Sequence, residues 1–253
     1  MSDRSVTLLV PTLNEIDGMK AVMPQVRREW VDQILVVDGN STDGTAEYAR
    51  AQGYEVVVQK KKGPRHAFNE AFPHVRGDLV ITFSPDGNSK PEVIPLLIEK
   101  MGEGYDMVIA SRYKDGAKSD DDDWFTGFGN WLFTRLVNWL HAAHYTDAMV
   151  IYRAYKTKLF QALDLDKDES YTPERWLGTV IGVEPLLSVR CAKMKLRVAE
   201  IPADEPRRVG GERKLDALRW GGAYLLQFFR ELYHWNPNRA RVAVRAALGH
   251  EAG

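Results

Sequence analysis

Three oxygen-bearing side chains, Ser84, Asp86 and Asn88, alternate in the segment ITFSPDGNSKPE, directly after an apolar run. Such oxygens suit Mg²⁺ or Mn²⁺, which take one or two protein groups and complete their shells with phosphate and water. A plain Pro-Asp-Gly turn has the same composition for conformational reasons, and the segment taken alone favours that turn. The choice between a turn and a metal site therefore depends on which other polar residues share this edge of the fold.

The elements that would position these side chains are short apolar runs that alternate with helical stretches. This alternation predicts an α/β fold with a mostly parallel sheet, in which ligands bind beyond the carboxyl ends of the strands. Thr12, Asn14 and Glu15 follow the first predicted strand, and Asp38 ends the second, so we expect them near Asp86. The predicted strands are 6–10, 34–37, 55–58, 79–83 and 107–110, and the predicted helices are 16–30, 42–52, 63–75 and 91–101.

The second half of the chain has a different composition. An acidic stretch, KDGAKSDDDD at 114–123, is typical of a mobile loop, and the aromatic-rich stretch 124–145 follows it. We expect this half to form a helical lobe packed on the sheet, with a basic, loosely ordered tail from residue 236. Its other predicted elements are an antiparallel strand at 148–155, a helix at 176–192, a strand at 196–201 and a long helix at 214–235.

Composition excludes several classes of function. The net charge of the 253 residues is −1, so the chain lacks the general basic field that nucleic-acid binding needs. Its single cysteine, Cys191, cannot form an internal disulfide, which fits a reducing compartment. The amino-terminal apolar run is too short for a signal peptide, and no segment approaches the ~18 apolar residues of a membrane span. We therefore expect a cytoplasmic protein.

Seven motifs, in consistent order from about residue 6 to 215, carry a resemblance to a known family. PTLNE, VVDGNSTDGT, KKGPRHAFNEA and SPDGN, starting at residues 11, 36, 61 and 84, resemble family-2 glycosyltransferases of the GT-A fold. ASRY, IYRAY and RRVGGERKL, starting at residues 110, 151 and 207, narrow the resemblance to the polyprenyl-phosphate sugar transferases, the dolichyl-phosphate mannose synthase group. The resemblance implies a GT-A, Rossmann-like sheet flanked by helices, with a helical acceptor-side lobe.

The resemblance also implies an activity. The chain is expected to move a hexose, with inversion, from a nucleotide diphosphate sugar such as a UDP- or GDP-hexose to a polyprenyl phosphate, using Mg²⁺ or Mn²⁺. Part of the family lacks transmembrane helices, so peripheral attachment to the cytoplasmic face of a membrane is compatible with this role. The implied catalytic domain is 1–215, divided into a nucleotide-sugar part at 1–113 and an acceptor-side part at 124–215, and residues 216–253 are expected to form an amphipathic helix and a flexible basic tail.

By the same resemblance, Asp86 and Asn88 are the expected metal ligands. Ser84 replaces the first acid of the family's usual Asp-x-Asp. The loss of that acid either lowers the affinity for metal or leaves this position to contact ribose through the serine hydroxyl. The residues expected near the nucleotide are Pro11, Asn14, Glu15, Asp38 and Arg65.

Four cations are candidates to stabilise the negative charge that grows on the leaving diphosphate. A surface or structural ion pair is the simpler explanation for any one of them. Two of them flank Gly210 and Gly211, which predicts a flexible flap that closes on the diphosphate. The four are Arg112, Arg153, Arg208 and Lys214.

Asp147 and Glu184 are the candidate general bases. A lipid phosphate is already an anion and needs no strong base, whereas a hydroxyl acceptor needs one. Asp147 matches an acid that precedes the family's arginine-containing strand, while Glu184 stands at a predicted helix start, where it also stabilises the helix end. His141 and His144 lack nearby cysteine or carboxylate partners in the sequence, which favours packing over metal binding.

The aromatic residues of the second half have two interpretations. Interfacial helices combine Trp and Phe with Lys or Arg at a membrane surface. Aromatic-rich helices are more often part of a core, so packing is favoured. The residues concerned are Trp124, Phe125, Phe128, Trp131, Phe133 and Trp139, and later Trp220, Tyr224, Phe228, Phe229 and Trp235.

Three other functions remain open. A glycosyltransferase with a hydroxyl acceptor would require one of the two carboxylates as a base. A nucleotidyltransferase is disfavoured because no Gly-rich loop with a following Lys comes directly after the first strand. A sugar-nucleotide-binding protein without turnover is suggested by Ser84. A dinucleotide dehydrogenase is disfavoured because no G-x-G-x-x-G follows the first strand.

Overall fold

The computed structural model describes residues 4–209 and 217–248, which form a seven-stranded sheet with helices packed around it. The strand order is β3-β2-β1-β4-β6-β5-β7, and β6 alone runs against the others. The mostly parallel sheet expected from the sequence is confirmed. The strands are β1 (Val6–Thr12), β2 (Gln33–Asp38), β3 (Glu55–Val58), β4 (Leu79–Thr82), β5 (Met107–Ser111), β6 (Arg153–Lys156) and β7 (Val198–Pro202).

The first four helices follow the predicted alternation, but two of them end several residues earlier than the sequence predicts. The helices are α1 (Ile16–Val22), α2 (Thr45–Ala51), α3 (Pro64–Ala71) and α4 (Val93–Gly102). The predicted helix at 16–30 ends before Pro24, and the predicted helix at 63–75 ends before Pro73; both continue as single 3-10 turns. Proline lacks the N–H that an α-helix interior needs, so each α-helix stops at that point.

The second half contributes six helices among the described residues. The sequence predicts one helix at 176–192, but the chain breaks it, because Gly178 adopts a left-handed conformation (φ 61°) and a new helix begins at Glu184. The tail expected to be loose instead forms a helix, with Ala240 and Val244 buried. The helices are α5 (Trp124–His141), α6 (Leu159–Ala162), α7 (Thr172–Leu177), α8 (Glu184–Lys193), α9 (Ala217–Glu231) and α10 (Pro237–Leu248).

A second layer of core joins α5, α8 and α9. The rings of Phe133 and Phe228 meet edge to face with centroids 6.1 Å apart, and Tyr224 stacks beside them. Arg190 and Glu231 form an ion pair buried between α8 and α9, at 3.0 Å. For Tyr224 and Phe228 of α9 the core interpretation agrees with the structure, whereas Phe229 is exposed.

On α5 the core interpretation is wrong for most of the aromatic residues. Trp124, Phe125, Phe128, Trp131 and Trp139 are exposed. The buried residues of α5 are Thr134, Val137 and His141, and Phe133 packs beside them. Within residues 4–209 and 217–248, no helix is both long and apolar enough to cross a membrane.

Candidate active site

The loops after β1 and β2 are joined by hydrogen bonds at the carboxyl edge of the sheet. The N–H of Asn14 donates to Ser41 Oγ at 2.8 Å, and Asn14 Oδ1 accepts from the N–H of Thr42 at 2.8 Å. Asp43 accepts from the N–H of Ile16 at 3.0 Å. Burial opposes ionisation of Asp43, but its hydrogen bonds from Thr45 and Ile16 prevail and lower its pKa. The two loops therefore form one preorganised wall.

Asp38 is buried beneath this wall, at the end of β2. Its carboxylate accepts from the N–H of Ser41 at 2.9 Å and from the hydroxyl of Thr12 at 3.4 Å. Pro11 pairs in register with Val37 one position earlier, so the first two strands deliver the predicted nucleoside-contacting residues to one place.

The turn that carries Asp86 is held from two sides. The N–H of Asn88 donates to Asp86 Oδ1 at 3.2 Å, and the N–H of Val209 donates to the Asp86 carbonyl at 2.7 Å. Behind the turn, a β-carbon at Gly18 in α1 would lie only 2.4 Å from the carbonyl oxygen of Pro85. The absence of a side chain at position 18 therefore lets α1 press directly on this turn.

The donor set at this turn fits a divalent cation that also binds phosphate. Ser84, Asp86 and Asn88 offer a hydroxyl, a carboxylate and an amide at the end of β4. In the described part of the chain, no three His, Cys, Asp or Glu side chains form a metal-binding cluster. A cation here would take one or two protein oxygens and complete its shell with diphosphate and water, which is the usual arrangement for Mg²⁺.

Arg208 faces the same turn. Its guanidinium Nη1 lies 3.8 Å from Asp86 Oδ2, and two other nitrogens donate to Asp121, at 2.6 and 3.1 Å. The hydrogen bond to Asp121 raises the pKa of Arg208 against the effect of burial, and the charges of Asp86 and Glu15 act in the same direction. Arg208 therefore stands charged beside the predicted metal ligand. Lys214, Gly210 and Gly211 lie outside the described residues.

The sequence predicts a mobile loop for the acidic stretch 114–123. In the structure this stretch is hydrogen-bonded to the segment that leads to Arg208. The N–H of Asp120 donates to the Glu205 carbonyl at 2.8 Å, and the N–H of Glu205 donates to the Lys118 carbonyl at 2.8 Å. The Ser119 hydroxyl also donates to the Glu205 carboxylate. We call residues 117–123 the acidic strap.

Arg112 and Asp147 form a buried pair at the end of β5. The Asp147 side chain is 0% exposed and accepts two hydrogen bonds from the guanidinium. Arg112 also reaches Glu205 at 3.4 Å, and its pKa is raised well above the ordinary value despite burial because of these carboxylates. Asp147 is not placed as a general base, because solvent does not reach it and both its oxygens are engaged. It positions Arg112 instead.

Arg153 is also a correction to the expected site. The residue is 0% exposed, and its guanidinium donates to the carbonyls of Val150 and Glu184 at 2.9 and 3.1 Å and to Ser188 Oγ at 2.8 Å. Burial lowers the pKa of Arg153. The side chain therefore ties β6 to α8, and its donors are engaged inside the protein.

Glu184 begins α8 and is buried. Burial raises the pKa of its carboxyl, and the charge of Arg153 opposes that rise. A β-carbon at Gly182 would lie 2.5 Å from Glu184 Oε2 and 3.3 Å from the Tyr224 hydroxyl, so the carboxyl is packed closely against the backbone.

Arg65 lines a cavity of about 550 Å³, but its charge is already matched. The guanidinium lies 2.9 Å from Glu174 and 2.8 Å from Asp168, and it stacks over Tyr171 at 4.5 Å. In this arrangement Arg65 shapes the cavity wall instead of offering its charge to a nucleotide. The other polar or aromatic residues of the cavity include Lys62, His66, Arg175, Thr179 and Trp220.

Two residues that the sequence did not single out, Glu205 and Asp121, stand close to the turn that carries Asp86. Glu205 accepts from Asn88 Nδ2 at 3.2 Å, so the amide nitrogen of Asn88 faces Glu205 and the amide oxygen faces away from it. Burial raises the pKa of Glu205, and Arg112 and Ser119 limit that rise. Asp121 belongs to a run of four acidic residues, and the sequence does not indicate which of them faces the site. The local sequence around Glu205 likewise does not indicate a role for it.

His141 and His144 are not brought together. His141 is buried, with Nε2 3.1 Å from the Phe228 carbonyl, whereas His144 is exposed. This agrees with packing as the favoured interpretation of the pair.

Comparison with known proteins places this site in context. A family model described as Glycosyl transferase family 2 matches residues 7–163, which is more than half of the chain. Glycosyltransferase AglJ of Haloferax volcanii is 31% identical over 238 residues, covering 92% of this chain and 74% of that protein. Undecaprenyl-phosphate 4-deoxy-4-formamido-L-arabinose transferase of Edwardsiella ictaluri is 27% identical over 228 residues, covering 85% of this chain and 64% of its own length. The chain thus spans just under two thirds of the latter relative.

Solved structures share the fold. Mannosyl-3-phosphoglycerate synthase from Rubrobacter xylanophilus aligns with a TM-score of 0.64 at 21% identity, over 90% of this chain and 74% of that one. Glucosyl-3-phosphoglycerate synthase from Mycobacterium tuberculosis, in complex with Mn²⁺, UDP and glucosyl-3-phosphoglycerate, aligns with a TM-score of 0.61 at 20% identity, over 99% of this chain and 82% of that one. At these sequence identities the similarity is evidence for the fold alone.

Proposed function

Because the chain belongs to glycosyl transferase family 2 and has the GT-A fold, we propose that it transfers a hexose from a nucleotide diphosphate sugar to a polyprenyl phosphate, with inversion at the anomeric carbon. The family and the enzyme class expected from the sequence motifs are confirmed. The donor nucleotide, UDP or GDP, and the acceptor are part of the proposal.

The observation that carries the proposal is the meeting of Asp86 and Arg208 at the carboxyl ends of the parallel strands. A carboxylate that can share a cation with phosphate, and a guanidinium 3.8 Å from it, are the two charge types that a leaving diphosphate requires. The wall made by Asn14 and Asp38 lies at the ends of the neighbouring strands β1 and β2. We assign that wall to the nucleoside and the Asp86 turn to the diphosphate.

The state of the two expected bases favours a phosphate acceptor. Asp147 is committed to Arg112, and Glu184 is buried and packed closely against the backbone at Gly182. A hydroxyl acceptor needs a base that can take its proton, whereas a phosphate monoester brings its own negative oxygen. The Edwardsiella relative is named as an undecaprenyl-phosphate transferase, which supports the same class of acceptor.

The chemical step then needs few protein groups. An acceptor phosphate oxygen forms a bond to the anomeric carbon, and the bond from that carbon to the diphosphate oxygen breaks with its electron pair going to the diphosphate. Arg208 stabilises the charge that develops there. The charge of Arg112 is matched by Asp147 and Glu205, so this residue supports the site by holding the end of β5 to the segment that carries Glu205. Asp86 and Asn88 would hold Mg²⁺ or Mn²⁺, which supplies electrostatic stabilisation of the same oxygens when bound.

Such an acceptor also implies a location. A polyprenyl phosphate resides in a membrane, so we propose that the protein acts on the cytoplasmic face of that membrane as a peripheral protein.

A donor screen tests the proposal. Purified protein is incubated with UDP- and GDP-hexoses and Mn²⁺ or Mg²⁺, with and without polyprenyl phosphate, and release of nucleoside diphosphate is measured. We expect release that depends on the acceptor, that Asp86→Ala abolishes, and that Ser84→Asp sustains at a lower metal concentration because it restores a carboxylate. Full activity of Asp86→Ala, or release of pyrophosphate, would contradict the proposal.

A further inference from the structure

Helix α5 exposes an aromatic stripe along its whole length. It consists of four aromatic residues and one arginine, namely Trp124, Phe128, Trp131, Arg135 and Trp139. These are spaced four, three, four and four residues apart, which places them on one side of an α-helix over roughly 22 Å. The exposed fractions are 84% for Trp124, 49% for Phe128, 52% for Trp131 and 76% for Trp139. We call Trp124, Phe128, Trp131, Arg135 and Trp139 the α5 stripe.

The stripe is a preorganised surface. The rings of Trp124 and Phe128 stack at 6.0 Å with an interplanar angle of 11°, and those of Phe128 and Trp131 stack at 5.8 Å with an angle of 27°. Gly127 lies among them and leaves a shallow cavity of about 450 Å³, lined otherwise by these three rings. A soluble surface rarely leaves so many large aromatic side chains together without a partner.

The charges around the stripe decide which partner it fits. The acidic strap adjoins its amino-terminal end, but three of its carboxylates are engaged within the protein. Asp121 binds Arg208, Asp122 accepts from Tyr113 and Asn130, and Asp123 caps α5 through the N–H of Thr126 at 2.8 Å. The charged member of the stripe is a cation, Arg135, whose guanidinium lies 5.7 Å from the Trp131 ring centre.

We propose that the α5 stripe docks on the interface of a lipid bilayer. Trp and Phe side chains favour the boundary between headgroups and acyl chains, and an arginine among them can bind lipid phosphate. The stripe also begins beside the proposed diphosphate site, because the strap that starts α5 is the one that binds Arg208. A lipid-linked phosphate could therefore reach that site from the surface on which α5 rests.

This inference deepens the proposed function, since it rests on a membrane-borne acceptor, but it can fail separately. Binding to vesicles is measured by co-sedimentation without donor or acceptor, using phosphatidylcholine vesicles with and without phosphatidylglycerol. We expect the double variant Trp124→Ser/Trp131→Ser to bind at least tenfold more weakly than the parent protein. The matched control is Trp176→Ser on α7, which removes a tryptophan that is 64% exposed and should change binding little.

Quenching of tryptophan fluorescence by brominated lipids gives a second measurement that does not depend on the double variant folding well. Trp124→Phe/Trp131→Phe should lose most of the quenchable fluorescence, and Trp176→Phe should lose none. Absence of vesicle binding by the parent protein, or equal quenching loss in both variants, would overturn the proposal. So would a parent dimer in solution that Trp124→Ser/Trp131→Ser dissociates, because the stripe would then serve a second copy of the chain.

Turnover with a short, water-soluble prenyl phosphate separates the two proposals. We expect the double serine variant to retain transfer to this acceptor while it loses vesicle binding. If the parent protein binds vesicles through the stripe but transfers no sugar to any prenyl phosphate, the docking surface stands and the proposed acceptor is wrong.

Discussion

The guanidinium of Arg112 lies against the carboxylate of Asp147 in two hydrogen bonds, 2.6 Å from Nε to Oδ2 and 2.9 Å from Nη2 to Oδ1. This fork-to-fork geometry fixes the plane of the guanidinium and places its charge at the end of β5. Arg112 Nη1 also contacts Glu205, and Glu205 accepts a hydrogen bond from Asn88 in the turn that carries Asp86. A buried ion pair thus connects the second half of the chain to the proposed cation ligands.

Asp147→Asn should destabilise the protein, because it leaves the Arg112 guanidinium buried without its countercharge. Breaking a buried pair on one side costs about 3–5 kcal/mol. The free energy of unfolding in urea measures this loss, and Glu47→Gln, in an exposed pair, serves as the control. The shape of the pH–rate profile should remain that of the parent protein. Loss of one ionisation from that profile with unchanged stability would return Asp147 to the role of base.

Glu205→Gln should weaken metal binding without removing any metal ligand. The carboxylate accepts the amide hydrogen of Asn88 and so keeps the amide oxygen, which accepts from Ser89 Oγ at 3.2 Å, turned away from Glu205. A neutral amide at 205 also lowers the negative charge near the turn. Loss of such supporting groups typically costs 10- to 100-fold in metal affinity. Mn²⁺ titration in the presence of UDP or GDP, followed by electron paramagnetic resonance, measures the change. Asp204→Asn, one residue away and exposed, is the matched control, and equal affinities in the two variants would refute the role of Glu205.

Asp121→Asn should strengthen the binding of nucleoside diphosphate. In the described arrangement Asp121 supplies two of the hydrogen bonds that Arg208 would otherwise make to phosphate oxygens. Removing its charge lowers the cost of exchange, and we expect a several-fold lower dissociation constant by calorimetry. Asp120→Asn, an exposed neighbour in the same acidic run, should leave the constant unchanged. Weaker binding by Asp121→Asn would mean that Asp121 supports the ligand instead of competing with it.

Glu184→Gln should change how stability depends on pH. Burial raises the pKa of Glu184 in the folded state above its ordinary value of 4.5. The folded protein then holds a proton that the unfolded chain releases, so this contribution to stability is fully present below pH 4.5 and is lost as pH rises through the folded pKa. The unfolding free energy, measured in urea from pH 4 to 8, should fall less steeply with pH in Glu184→Gln than in the parent protein. Parallel curves would contradict the raised pKa.

The sheet and the polar edge at the carboxyl ends of its strands were predictable because they depend on short-range patterns. Buried apolar runs marked β1, β2 and β4, and the polar residues directly after them had to meet at one edge of a parallel sheet. Helix ends at Pro24 and Pro73 could have been predicted from the missing N–H, and the α5 stripe from its helical spacing.

The roles of individual charges could not be predicted in the same way, because they depend on which partner approaches from a distant part of the chain. Asp147 and Arg112 are 35 residues apart, and Asp121 and Arg208 are 87 residues apart. Arg153 lies in a motif typical of the family, yet carbonyl groups of its own neighbours and of α8 take its donors. The sequence specifies that a cation stands at such a position but not whether it faces a ligand.

The close packing of Gly18 against Pro85 determines which side of the site can change conformation. A glycine inside a helix lowers stability by about 0.5–1 kcal/mol relative to alanine. Helix α1 is therefore less stable at Gly18, but its backbone can pack directly against the turn at Pro85. The backbone of α1 therefore blocks movement of Asp86 toward the protein interior when a charged ligand binds. Any conformational change on ligand binding is therefore expected on the other side of the turn. There the acidic strap and Arg208 are held by hydrogen bonds that a ligand can replace.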